Sequence, residues 1–336
     1  MSTRLEAWAP DGFPEVAAGD DLTTLVLAVL GGGAGLADGD VVCVTSKVVS
    51  KAEGRTRRGG REAAIEEETV RVVARRGATL VVRNRLGLTM AAAGVDASNV
   101  ATGSVVLLPL DPDASARALR RAVHERTGTN VAVVVTDTSG RAWREGQTDI
   151  AIGAAGLLVA EDFAGRTDRH GNALAVTLPA VADEIAGAAE LVQGKLGGRP
   201  VAVVRGRADL VLRPGEDGPG AASLVRPDGA DLFGWGAREA VVRALAGDDA
   251  DLAAFGEPVA PDELQAALGR VVGGGAGLSS TLLLTFDEEP GQVVLRLPAD
   301  AGRAAVEAVC FAHGWRLAVW EQAGSDVVCH VSPVTT

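Results

Sequence analysis

Short apolar runs bounded by turn residues alternate with stretches of helical spacing over the first two thirds of this chain. Val41–Thr45 (VVCVT) follows the turn Ala37-Asp38-Gly39-Asp40 and predicts a buried strand. Residues 62–76 carry Ala63, Ala64, Val70, Val73 and Ala74 at helical spacing, with acids early and arginines late as the helix dipole favours, which predicts one helix. Strands are predicted over 79–83, 105–110, 131–136 and 200–205, helices over 114–126, 181–195 and 238–245, and loops over 91–100 and 213–236. Helices and strands joined by short links give an α/β domain, assigned to residues 1–246.

The remaining residues, 247–336, have a pattern of their own. A linker over 247–261 leads to a helix over Pro261–Val272. Two apolar runs, 281–286 and 292–297, flank Asp287-Glu288-Glu289-Pro290-Gly291 and read as a hairpin. A helix over 299–313 and a β pair over 316–321 and 326–332 complete a small α+β module. No motif in it connects to chemistry, so a packing or oligomer-contact role is expected.

Of the 336 residues 47% are hydrophobic, ample for a core, and no apolar run is long enough for a membrane span. The N-terminal residues show no apolar signal segment. Cys43, Cys310 and Cys329 are far apart and the four histidines form no ligand pattern, so a reducing cytoplasm is expected and a zinc site is not. The net charge of −12 argues against a nucleic-acid partner. Residues 247–336 hold thirteen acidic and four basic side chains, which leaves the rest of the chain nearly balanced. Only Lys47, Lys51 and Lys195 among the 32 basic residues are lysine. All three fall in motif-like segments, where a compact ammonium suits a phosphate.

Three constellations stand out. Ser46, Lys47, Ser50 and Lys51 follow a strand and form either a phosphate-holding cationic turn or a solvated lysine pair, and no P-loop is present. Asp96 and Asn99 make an Asx turn unless Asp137 joins them as a partner carboxylate. The third is the densest: a strand ends in Thr136, Asp137 and Thr138, and a polar loop adds Arg141, Arg144, Gln147 and Asp149. Carboxylate and hydroxyl together suit Mg²⁺ or Mn²⁺, and the arginines suit phosphate or carboxylate. Trp143 is assigned to the core, with a wall of the site as the alternative.

The segments VVCVTSKVVSKAEGR, NRLGLTMAAAGVDASNV, VVVTDTSGRAWREGQTDIAIGAAGL and VADEIAGAAELVQGK followed by PVAVVRG resemble, in this order, the coenzyme F420-0:L-glutamate ligases. The likeness spans about residues 5–245 and is strongest to the N-terminal ligase domain of the actinobacterial bifunctional proteins. The nitroreductase-like domain that follows there has no counterpart in residues 247–336. The resemblance implies the family's own gamma-glutamyl ligase fold, a cytoplasmic homodimer, and a reaction in which GTP phosphorylates the carboxylate of coenzyme F420-0 before L-glutamate attacks. It implies two divalent ions, Mg²⁺ or Mn²⁺, with K⁺ as a further ion. Metal ligands fall on Asp96, Asp137 and Thr138, and GTP contacts on Phe13, Pro14, Glu15, Val16, Ser46, Lys51, Asn99, Gln193 and Lys195. Asp96, Asp137 and Lys51 are the expected catalytic residues, and Arg141 and Arg144 are assigned to a substrate anion from their charge alone. A ligase for a different carboxylate and a non-catalytic GTP-binding scaffold are the competing readings.

Overall fold

The computed structural model describes residues 4–33, 35–272, 283–286 (backbone only) and 292–334. In chain order the elements are β1 (Glu6–Trp8), α1 (Leu22–Val29), β2 (Val41–Thr45), α2 (Ser46–Ala52), β3 (Thr56–Arg58), α3 (Arg61–Glu68), β4 (Thr69–Arg76), β5 (Thr79–Asn84), β6 (Thr89–Ala91), β7 (Ser104–Val106), α4 (Pro112–Thr127), β8 (Ala132–Gly140), β9 (Gln147–Ala155), α5 (Val181–Gln193) and β10 (Val201–Arg205). They are followed by α6 (Ala237–Ala246), α7 (Pro261–Val272), β11 (Leu283–Phe286), β12 (Val293–Pro298), α8 (Arg303–Ala312), β13 (Trp315–Ala323) and β14 (Asp326–Pro333). The fold is mixed α/β, in two compact units: residues 1–72 with 81–225, and residues 73–80 with 226–336.

In the first unit a five-stranded sheet runs β1-β10-β2-β8-β9. Only β2 and β8 pair in parallel within it, and the other neighbours are antiparallel. Side chains alternate across a strand, and here both faces are covered. Val42, Val44, Val133, Val135, Val201 and Val203 pack with Val26 and Leu27 of α1 and with Leu119 and Val123 of α4. Val41, Cys43, Val134, Ala202 and Val204 pack on the other face with Val181, Ile185 and Ala189 of α5. This explains why the strands read as unbroken apolar runs. Helix α4 has a complete set of end signals: Asp111 accepts from the Ala114 amide at 2.8 Å, Pro112 opens the first turn, and Gly128 closes the helix at φ 74°.

Two elements depart from the expected pattern. The helix expected over 62–76 stops at Glu68, and Thr69–Arg76 is a strand in the sheet β4-β5-β6. Thr69, Val70, Val72 and Val73 are β-branched, and they favour an extended strand over the helical spacing they also satisfy. The second departure is β8. It does not end at Thr136 but continues through Asp137, Thr138 and Ser139 to Gly140, and it pairs with β9 as a hairpin. The polar loop expected there is largely strand, and only residues 141–146 turn. A register shift between Val135 and Thr136 marks a bulge just before the aspartate.

The second unit holds an antiparallel sheet ordered β11-β12-β14-β13. Leu264 and Leu268 of α7 and Val306 and Cys310 of α8 pack with Val293, Leu295, Leu297, Trp315, Val327, Cys329 and Val331. The two units divide ahead of the 246/247 boundary drawn from composition, because α6 packs on α8 and Arg243 of α6 pairs with Asp251 at 3.2 Å. The stretch taken as a linker contains a 3-10 turn, Asp249–Ala254, with Leu252 and Ala254 buried. The expected hairpin turn over 287–291 lies outside the described residues. Among the described residues no helix is long and apolar enough to cross a membrane.

Candidate functional site

Strand β2 passes directly into α2 at Thr45, so the first two helical residues sit at the C-terminal end of a buried strand. They are Ser46 and Lys47. The Ser46 hydroxyl donates to Asp137 Oδ1 at 2.7 Å, reaching the neighbouring parallel strand β8. The Lys47 ammonium donates to Asp96 Oδ2 at 2.7 Å and to Ser98 Oγ at 2.8 Å. Asp96 is held in turn by a bridge to Val106 and accepts from the Ser98 amide at 2.7 Å, the expected Asx turn. Two adjacent residues thus grip one aspartate each, and carboxylates far apart in the sequence are brought to the same strand end.

Alternation along β8 divides the next polar groups between the two faces of the sheet. Asp137 faces α2. Thr136 and Thr138 face the other way, where both hydroxyls donate to Asp149 of β9, at 3.0 and 2.8 Å. Lys195 donates to Thr138 Oγ1 at 2.8 Å. The Thr138 hydroxyl therefore lies between a buried carboxylate and an ammonium.

The two aspartates differ electrostatically. Burial pushes Asp96 up, but hydrogen bonds from Lys47 and Ser98 outweigh it and leave the carboxyl below its ordinary value. Asp137 accepts from the Ser46 hydroxyl, with no ammonium hydrogen-bonded to it among the described residues. Burial pushes its carboxyl up to about 6, the charges of Asp149 and Asp96 push the same way, and Ser46 and Lys47 pull against them. Asp96 and Asp137 are thus near enough to feel each other's charge. Among the described residues no group of three or more His, Cys, Asp or Glu side chains is placed to enclose a metal ion. The oxygen donors on the α2 side are the carboxylates of Asp96 and Asp137 and the hydroxyls of Ser46 and Ser98, whereas Thr138, expected as a metal ligand, faces the other way beside Asp149 because neighbouring residues of a strand alternate. That hard-oxygen set fits Mg²⁺ or Mn²⁺ completed by water and phosphate oxygens.

The other expected residues are placed as follows. Lys51 pairs with Glu15, so the two expected nucleotide segments touch. Phe13 packs partly buried on the core and Val16 is buried, while Pro14 and Glu15 are exposed. Asn99 stands in the turn after Asp96 at φ 55°. Gln193 is 2% exposed, and both polar atoms of its amide lack a hydrogen-bond partner among the described residues. Arg141 and Arg144 are exposed in the hairpin turn. Trp143, assigned to the core, is 85% exposed at φ 62°, because the turn of a hairpin projects away from the sheet that supplies the core. Ser98 was not singled out in the sequence, and Lys47, Thr136 and Asp149 stood in the candidate constellations without an assigned role. Asp149 was visible as a second acid, but its role depends on the hairpin register, which requires β8 to be read past Thr136.

A profile described as F420-0:Gamma-glutamyl ligase matches residues 12–62 and 59–206. The chain belongs to this family. It is 41% identical over 224 residues to the coenzyme F420:L-glutamate ligase of Archaeoglobus fulgidus, covering 60% of this chain and 88% of that protein. The coenzyme F420:L-glutamate ligase of Methanothermobacter thermautotrophicus is 38% identical over 245 residues, covering 66% of this chain and 96% of the relative. That of Halobacterium salinarum is 42% identical over 229 residues, covering 60% and 87%. The family match contains Ser46, Lys47, Asp96, Asp137, Thr138, Asp149 and Lys195, and the chain is accordingly a ligase. Residues 226–336 lie beyond the profile match.

Proposed function

We propose that this ligase joins L-glutamate to coenzyme F420-0 in a reaction driven by GTP and dependent on Mg²⁺ or Mn²⁺. Family membership supports the substrates. The observation that carries the nucleotide and metal reading is the pairing of Ser46 with Asp137 and of Lys47 with Asp96 at one strand end. Two carboxylates held by adjacent residues of α2, with scarce lysines nearby, suit a site that must bring a triphosphate to another anion.

An oxygen of the F420-0 carboxylate forms a bond to the γ-phosphorus while the β–γ bridging bond breaks and GDP leaves. The glutamate amine then attacks the acyl carbon, phosphate departs, and an amide remains. A divalent ion held by Asp96 and Asp137 would neutralise the phosphate oxygens during transfer. Ser46 keeps Asp137 oriented through a 2.7 Å hydrogen bond. Asp149 and Lys195 fix the Thr138 hydroxyl from both sides. Lys51 offers positive charge to the nucleotide and is steered by Glu15. Arg141 and Arg144, exposed in the turn, suit the carboxylates of the incoming glutamate. This asks for positioning and charge rather than a covalent protein nucleophile.

The test is mass spectrometry of F420-0 incubated with the protein, GTP, Mn²⁺ and L-glutamate. A product heavier by one glutamyl residue, formed with GTP and lost when Mn²⁺ is chelated, is expected. No product under these conditions, or equal product after chelation, refutes the reading. The same reading includes a homodimer, which light scattering checks as a particle of twice the chain mass.

A further inference from the structure

Lys47 lies in the site without a place in the scheme above, and its contacts are unusual for a residue next to proposed metal ligands. Its ammonium bonds Asp96 Oδ2 and Ser98 Oγ, at 2.7 and 2.8 Å, from a side chain that is 21% exposed. Ser46, its neighbour in α2, bonds Asp137. A single positive charge therefore bonds one carboxylate and lies near enough to the other to act on it: it lowers Asp96 through a hydrogen bond and Asp137 through space. Asp96 has no other cationic side chain hydrogen-bonded to it among the described residues.

We propose that Lys47 is a built-in countercation that competes with the divalent ion for Asp96 and, once displaced, turns its ammonium to the phosphate oxygens of the bound nucleotide. This rests on the metal reading above. The competition follows from charge: an ion entering between Asp96 and Asp137 meets the Lys47 ammonium and takes over an oxygen that Lys47 holds. Linkage makes the effect reciprocal, so whatever Lys47 gains from Asp96 is subtracted from metal affinity. The arrangement lets the site stay compensated when empty and gives the nucleotide an extra cation when loaded.

The test uses Mn²⁺ alone, titrated into the full chain and followed by the electron paramagnetic resonance of the free ion. Lys47→Met is expected to bind Mn²⁺ more tightly than the wild type by at least about fivefold. Lys47→Arg keeps the charge and is expected to stay near the wild type. In turnover, Lys47→Met is expected to slow kcat even with Mn²⁺ saturating, the opposite sign to its effect on metal binding. A variant that merely loosened the fold would weaken both, and circular dichroism of the same samples verifies folding. Equal or weaker Mn²⁺ binding by folded Lys47→Met overturns the proposal. Asp137→Asn separates the two layers: if it binds Mn²⁺ as well as the wild type, the metal reading itself fails, whereas loss of binding in Asp137→Asn with no gain in Lys47→Met rejects only the role of Lys47.

Discussion

The sheets of the two units are built by the same rules and filled differently. In the second unit the most deeply buried positions are Leu264, Leu268, Leu295, Val306, Cys310, Cys329 and Val331, all apolar or thiol and all at 0% exposure. In the first unit positions of comparable depth hold Ser46 just after β2, Thr136 within β8 and Asp149 within β9, at 4%, 0% and 2% exposure. Burying such groups costs stability unless every one is hydrogen-bonded, and even then an apolar core would serve a fold better. The second unit devotes its interior to packing. The first gives up part of its interior to hold carboxylates and hydroxyls in fixed positions, and the proposed site lies among them.

Removing one carboxylate strains this contrast hardest. Asp137→Ala is expected to lower the ligation rate by about 10³-fold or more while the protein stays folded, because it removes charge stabilisation at the reacting phosphate. Steady-state kinetics beside a melting curve read both quantities, and a loss below about tenfold would move the chemistry elsewhere. The corresponding cut in the second unit is Leu295→Ala. It should cost about 2–5 kcal/mol of stability in denaturant unfolding, the usual range for a fully buried leucine.

A finer test uses pH. The Asp137 carboxyl titrates at about 6 in the fold against an ordinary value of 3.8, so between those values the folded state holds more protons than the unfolded state. Stability from this group is therefore intact below about pH 4, falls as pH rises through about 6, and stays low above. In metal-free buffer Asp137→Asn should thus raise stability at pH 8 by roughly 2–3 kcal/mol and leave it unchanged near pH 4. A variant equally shifted at both pH values would show that burial of the charge is not the cause. The smallest effect belongs to the hairpin turn. Trp143→Gly should be neutral or stabilising by up to about 1 kcal/mol, since glycine tolerates the left-handed backbone and little buried surface is lost.

Much of this could be read from the chain. The runs at Val41–Thr45 and 131–136 and the end signals of α4 are local, and local signals survive folding. The strand β4 could not, because Val70 and Val73 satisfy a helical period as well as an extended one and only pairing with β5 decides. The continuation of β8 through Thr136-Asp137-Thr138 was hidden by its polarity, since a buried polar strand looks like a loop until its partners are known. Asp96 and Asp137 were picked out by residue type. The device that joins them was not, because Ser46 and Lys47 reach across 91 and 49 residues to find their partners.

The decisive experiment is a crystal of the protein soaked with GDP and Mn²⁺ and measured for anomalous scattering. A manganese peak coordinated by carboxylate oxygens of both Asp96 and Asp137, with Lys47 withdrawn from Asp96, is expected. A peak that touches neither aspartate, or one bound by ligands elsewhere in the chain, would contradict the convergence of these two carboxylates on one cation.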